Sequence, residues 1–209
     1  MQMIGITTTK GNGPLFGKSK WWGSPDMPEN LEYPEVPVNV DGQLYYDPLT
    51  FICQIRCEDL AAHDPEGLLP HGGMLWFFAA LDYFLGDQDA DEAPGMGEWS
   101  PQYFKVLYSK DCSGLHTHSV LYDDGTPACM PEEEIVFREG GESCTGFLGK
   151  PYFEEVREAM PGMLSLLQID GEDRWNLRFF DCGMLNFLIS PEDLAARRFG
   201  QVRCYLHSF

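Results

Sequence analysis

Basic residues are scarce in this chain. Its 209 residues hold 14 Lys and Arg against 33 Asp and Glu, a formal net charge of −19. A surface so lopsided repels phosphate backbones, which excludes counterion-release binding to DNA or RNA, and it repels anionic membranes as well. Two readings of the charge remain: plain solubility, or attraction to a cationic partner whose encounter rate the field raises. Long apolar runs are missing too, and no stretch reaches the ~18 residues of a membrane-spanning helix. The opening Met1–Lys10 has no basic region leading into an apolar run, so no secretion leader is expected. The seven cysteines, at positions 53, 57, 112, 129, 144, 182 and 204, include no C-x-x-C pair. An odd, unpatterned set fits buried thiols in a reducing cytoplasm. Gly-x-Ser-x-Gly is also absent, and Cys112-Ser113-Gly114 lacks the strand and helix that a strained nucleophile turn needs.

Aromatic residues, by contrast, are plentiful: 14 Phe, 9 Tyr and 5 Trp within a 44% hydrophobic chain. Large rings with sheet preference predict a folded, strand-rich core. Short segments also recur in the same order. Gly23-Ser24-Pro25, Gln54-Ile55-x-x-Glu58-Asp59 and Gly73-Met74-Leu75-x-Phe77 come back as Gly149-Lys150-Pro151, Gln168-Ile169-x-x-Glu172-Asp173 and Gly183-Met184-Leu185-x-Phe187. Three ordered matches predict internal duplication. The expectation is a single domain over 1–209, made of related halves at about 16–84 and 146–209 around an acidic, variable segment 85–145.

Local patterning fills in the elements. Residues 1–47 carry many prolines and the turn signals Asn12-Gly13 and Asp41-Gly42, and read as loop. Strands are predicted at 51–56, 74–80, 104–108, 119–122, 164–170, 184–189 and 201–206. Short helices are predicted from Cys57, over 151–160, and over 194–199 behind the Ser190-Pro191-Glu192-Asp193 start signal. Residues 139–146 read as a Gly-rich connection. With about ten strands and few helices, the predicted class is a β-rich α+β fold with pseudo-symmetric mixed or antiparallel sheets.

Lys18-Ser19-Lys20-Trp21-Trp22-Gly23-Ser24-Pro25-Asp26-Met27-Pro28 and Pro48 to Ile55 form one set of distinctive segments. Leu148 to Phe153, Leu166 to Asp170, and Asp181-Cys182-Gly183 running through Glu192 to Phe199 form another. Together these segments resemble the YwqG-like family, a group of bacterial proteins of unknown function. The resemblance implies a compact, internally duplicated β-rich fold and brings no assigned catalytic residue.

Four constellations invite a chemical reading. Gly11 to Ser19 nearly spells a phosphate loop, but Asn12 stands where its first Gly belongs, and Pro25 and Pro28 prevent the helix that should follow. Asp87, Asp89, Asp91 and Glu98 sit at positions 1, 3, 5 and 12 of an EF-hand-like loop, the spacing of a weak Ca²⁺ site. Against it, Glu92 occupies the sixth position, where the sharp turn needs Gly, so a solvated acidic linker is the plainer reading. His116 and His118 share a strand face near Cys112 and Cys129, yet a zinc site needs three or four convergent ligands. Gln54 and Gln168 each lie inside an apolar strand, where a buried amide either fixes packing or faces a central cleft. The adjacent Trp21 and Trp22 should point different ways, one packed and one exposed as a contact residue.

The leading expectation is therefore a non-enzymatic cytoplasmic module that contacts a basic protein, for instance as an immunity or neutralising partner. The alternative is an enzyme or a small-ligand or Ca²⁺ binder that uses the cleft between the halves.

Overall fold

The computed structural model describes residues 3–87, 94–140 and 144–209. Among them run fifteen strands: β1 (Ile4–Thr9), β2 (Lys20–Trp21), β3 (Asp26–Pro28), β4 (Glu35–Val40), β5 (Gln43–Pro48), β6 (Thr50–Arg56), β7 (Met74–Ala79), β8 (Gly97–Glu98), β9 (Phe104–Ser109), β10 (Leu115–Thr117), β11 (Glu133–Glu139), β12 (Gly146–Gly149), β13 (Leu164–Asp170), β14 (Met184–Ile189) and β15 (Arg203–His207). Helices are short: α1 (Cys57–Leu60), α2 (Glu154–Ala159) and α3 (Pro191–Ala195). Eleven strands form one curled antiparallel sheet in the order β8-β15-β14-β13-β12-β1-β11-β2-β6-β7-β9. Two small two-stranded antiparallel sheets, β3 with β10 and β4 with β5, lie outside it.

Strands β7 and β14 are buried at every position because both of their faces are covered. Leu75, Phe77 and Ala79 of β7 enter the main core, while Met74, Trp76 and Phe78 enter a second cluster with Met27, Val36 and Phe51. In β14, Leu185, Phe187 and Ile189 face the main core, and Met184 and Leu188 face Phe153 and Val156. The curl brings the two arms together at rings: Phe77 meets Phe147 and Phe187 edge-on, each at 5.4 Å. Fully burying each such side chain contributes roughly 1.5–3 kcal/mol.

The two recurring triplets adopt matching registers. Gln54 lies between Lys20 and Trp76, and Gln168 lies between Gly146 and Asn186. A bulge falls between Phe51 and Cys53 in β6, and another between Ser165 and Leu167 in β13. Trp22 and Leu148, one residue before each Gly-x-Pro, both take positive φ, 58° and 51°. Gly73 and Gly183 open β7 and β14 at points where a Cβ would strike the Ser109 and Phe179 carbonyls. At the middle of the sheet β1 and β11 pair with each other, Thr7 opposite Val136. Each also pairs with a strand of the opposite run: β1 with β12, β11 with β2.

Several sequence expectations need correction. The proline-rich opening holds strands: β4 and β5 form a hairpin turned by Asp41 and Gly42, both at positive φ, the conformation that two-residue hairpin loops need. Pro37 fits there because β4 pairs on one edge only. Residues 119–122 are not a strand; that arm carries only the isolated bridge Leu121 to Pro127, flanked by the Tyr122 N–H to Thr126 O and Ala128 N–H to Val120 O bonds, each at 2.9 Å. β11 and β12 bracket the expected Gly-rich connection. The last helix is Pro191–Ala195, with Ser190 Oγ accepting the Asp193 N–H at 3.0 Å, and a separate 3₁₀ turn follows at Phe199–Gln201. It ends early because Arg197 takes φ 58°.

Candidate functional site

The Gly-x-Pro loop of the early half carries the most chemically loaded region. A cavity of about 560 Å³ opens beside Trp22, Gly23 and Ser24. Tyr33 and Phe51 form one wall, and Trp175, from the 3₁₀ turn Asp173–Trp175, reaches it from the late half. Trp21 stacks on Trp175 at 5.6 Å, and Trp22 stands perpendicular to both rings. The other walls are Asp82 and Asp87, which follow β7, Asp47 at the end of β5, and the arm 118–130. That arm is moored by the His118 N–H to Pro25 O at 2.9 Å and the Gly23 N–H to Met130 O at 3.0 Å. Among the described residues, no Lys or Arg lines the cavity.

The electrostatics follow from this enclosure. Partial dehydration raises the Asp82 carboxyl pKa, and the charges of Asp87 and Asp47 add to it; the Thr50 hydroxyl, donating at 2.7 Å, opposes them. Asp82 is nonetheless reached by solvent, because it lies on an open concave wall. Burial and the neighbouring His116 lower the His118 pKa, which keeps this ring neutral at physiological pH. Burial also raises the Tyr33 phenol, which donates to Leu49 O at 3.0 Å. Among the described residues, the buried Trp22 indole N–H and His118 Nε2 lack partners here.

A second cavity of about 560 Å³ adjoins the first and shares Gly23, Ser24, Pro127, Cys129 and Met130 with it. Its wall includes a buried charge network. The fully buried Asp26 carboxylate accepts from Gly17 N at 3.0 Å, Gln54 Nε2 at 2.9 Å and Thr117 Oγ1 at 2.7 Å. Lys20 Nζ lies 2.9 Å from it and 3.2 Å from Glu132. Burial pushes the Asp26 pKa up, but the Gly17 amide, Lys20 and Thr117 outweigh it and hold the carboxyl below its usual range.

Of the residues singled out in the sequence, Trp22 belongs to the site. Trp21 and Trp22 are 0% and 1% exposed, so the expected exposed contact residue is not there. Trp22 instead reaches the cavity from a buried, left-handed backbone position. Gln54 and Gln168 serve the same local geometry in both arms. Gln54 Oε1 accepts Asp26 N–H and Nε2 donates to Lys18 O; Gln168 Oε1 accepts Tyr152 N–H and Nε2 donates to Cys144 O. Each amide is spent on holding the loop beside it, and neither lines these two cavities. Asp89 and Asp91 of the calcium spacing lie outside the described residues. Glu98 is taken up by Arg203 in a two-pronged pair, 2.6 Å at each contact. Asp87 lines the first cavity instead. His116 and His118 stack at 4.2 Å, but no cluster of three or more metal-type ligands forms among the described residues.

Sequence reasoning missed Asp82, Asp26, Lys20 and Glu132. Asp82 carries no local signature. Asp26 and Lys20 did carry one: comparing the recurring segments places them where the late segment has Tyr152 and Gly146.

Fold and site together describe a β-rich, acidic domain with an aromatic-walled acidic cavity and no recognisable catalytic set among its described residues. The chain belongs to the family described as Domain of unknown function (DUF1963), which matches residues 19–145 and 145–207. No curated protein matches it. No helix among the described residues is long and apolar enough to cross a membrane.

Proposed function

We propose that this chain is a protein-interaction module whose acidic cavity receives a Lys or Arg side chain from a basic partner. The observation that carries the reading is the cavity itself: Asp47, Asp82 and Asp87 around aromatic walls, with no Lys or Arg among its described lining. Carboxylates hydrogen-bond the head of such a side chain, and rings attract its charge through their faces. A polypeptide partner fits better than a free amine for two reasons. The field of −19 extends over the whole molecule and steers a macromolecule. The rim also presents Leu121 and Tyr122, 55% and 64% exposed, the kind of contact that surrounds an anchor pocket. Neutralisation of a basic protein in a reducing compartment is the concrete form of this reading.

The test is fluorescence anisotropy with a labelled Gly/Ser peptide that carries one Arg, next to the same peptide with citrulline. The Arg peptide binds, binds less at high salt, and loses about tenfold in affinity with Asp82→Asn. Equal affinity for Arg and citrulline peptides, or for a neutral sugar, contradicts the reading. Free agmatine binding as tightly as the peptide moves the function to small amines.

We also propose that the two arms descend from one duplicated module, in keeping with the YwqG-like motifs. The support is the shared register at Gln54 and Gln168, the two bulges, the paired positive φ values and the matching amide contacts. In this view β1 and β11 are equivalent first strands, each exchanged into the other arm's sheet.

A further inference from the structure

We infer that the second cavity is a second anchor subsite, so that the module reads an extended segment carrying two basic side chains. This rests on the proposed function and extends it. The two cavities share a wall of Gly23-Ser24 on one side and Pro127, Cys129 and Met130 on the other, so a chain crossing that wall reaches both. Gly23 allows this tight partition: it sits at φ 76°, and a Cβ there would press on Glu132 Cβ at 2.8 Å.

The charge of the second cavity is also more than the fold demands. In the late arm the matching loop is held by Gln168 and by Arg157, which donates to Pro151 O and Tyr152 O, and no buried ion pair is present there: Tyr152 and Gly146 stand in the places of Asp26 and Lys20. A buried ion pair gives little net stability over an apolar replacement, so its presence on one arm only points to use, not to support. Within it Lys20 balances Asp26, which leaves the charge of Glu132 facing the cavity. Glu132 accepts from Leu15 N–H and from Lys20 Nζ, and a carboxylate has lone pairs for about two more donors. Independently of the acids, the buried Trp22 indole N–H at the first cavity has no acceptor, and a peptide carbonyl is one. An extended basic segment supplies both kinds of group: a cationic head for each cavity and a backbone oxygen at the first.

The experiment uses the full chain and labelled Gly/Ser peptides carrying either one Arg or two Arg separated by zero to three Gly. One spacing of the two-Arg series binds about tenfold tighter than the one-Arg peptide, because the second contact forms within an already bound chain. Replacing its second Arg by citrulline removes the gain without touching the protein. Glu132→Gln, which keeps an acceptor for Leu15 N–H, removes the same gain. If no spacing exceeds the one-Arg peptide, or Glu132→Gln weakens both peptides equally, the second subsite is wrong while the first stands. If no Arg peptide binds at all, both readings fall.

Discussion

Replacing Gln54 and Gln168 by leucine, one at a time, tests the account of the two loops. Each leucine fills nearly the same volume and removes only the amide. At Gln54 the loss strands the Asp26 N–H and the Lys18 carbonyl and takes one of the donors from the Asp26 carboxylate. The Asp26 contacts are fully buried, so water does not replace them. At about 1–3 kcal/mol for each stranded group, Gln54→Leu should cost roughly 3–5 kcal/mol. At Gln168 the stranded groups are the Tyr152 N–H and the Cys144 carbonyl, both only partly buried, and no carboxylate is involved. Water repairs part of that loss, and Gln168→Leu should cost about 1–3 kcal/mol. Urea unfolding followed by tryptophan fluorescence measures both, with the slope on denaturant expected to stay unchanged. The whole stability of a domain is of order 5–15 kcal/mol, so both effects are large enough to resolve. A cost below about 0.5 kcal/mol at either site, which is what surface changes show, refutes the loop-holding role. A larger loss at Gln168 than at Gln54 refutes the reasoning about burial.

Four shorter predictions follow. Basic-peptide affinity should fall as pH drops through the raised Asp82 pKa, before ordinary aspartates titrate, and Asp82→Asn should flatten that step in an anisotropy titration. The same substitution should not lower stability, because a raised carboxyl favours the folded state only below its folded pKa, and that contribution is lost as pH rises through it. Asp26→Asn should cost about 3 kcal/mol by leaving Lys20 with Glu132 alone. It should also remove an acid limb from the stability curve, since a depressed carboxyl stabilises above its unfolded pKa and stops doing so as pH falls through the folded one. Thiol labelling should be fast at the exposed Cys129 and Cys182 and slow at buried Cys53, Cys204 and Cys57, the last pushed up to about 12 by burial and by Glu58. Bound two-Arg peptide should protect Cys129, which lines both cavities, and leave Cys182 reactive. Millimolar Ca²⁺ should leave the melting temperature unchanged, because Glu98 would first have to release Arg203.

What could be read from the residues follows the range of the forces involved. β6, β7, β9, β13 and β14 were legible because their apolar runs are bounded by Gly, Pro or charge, and α3 because Ser190-Pro191 is a local start signal. The Asp41-Gly42 turn was legible, but not the hairpin it closes, since β5 is exposed throughout and shows no hydrophobic alternation. β1 and β11 were invisible: each exists through pairing with strands more than a hundred residues away. The recurring triplets pointed to the loops on which the site is built. They did not reveal the cavity, because Asp82, His118 and Trp175 come from three separate stretches and meet only through the curl of the sheet. One of Trp21 and Trp22 was expected to be exposed because adjacent residues in a loop point different ways; both are buried, and the left-handed backbone of Trp22 turns it into the wall.

The most direct measurement is a ¹H–¹⁵N spectrum of the labelled protein titrated with the one-Arg peptide, with the Trp22 indole signal assigned through Trp22→Phe. The account predicts that the Trp22 indole N–H and the amides of Gly23, Ser24 and residues 118–130 move together, in proportion to bound peptide. A spectrum in which those signals stay fixed, or in which only residues around Tyr152, Phe180 and Phe209 respond, contradicts it.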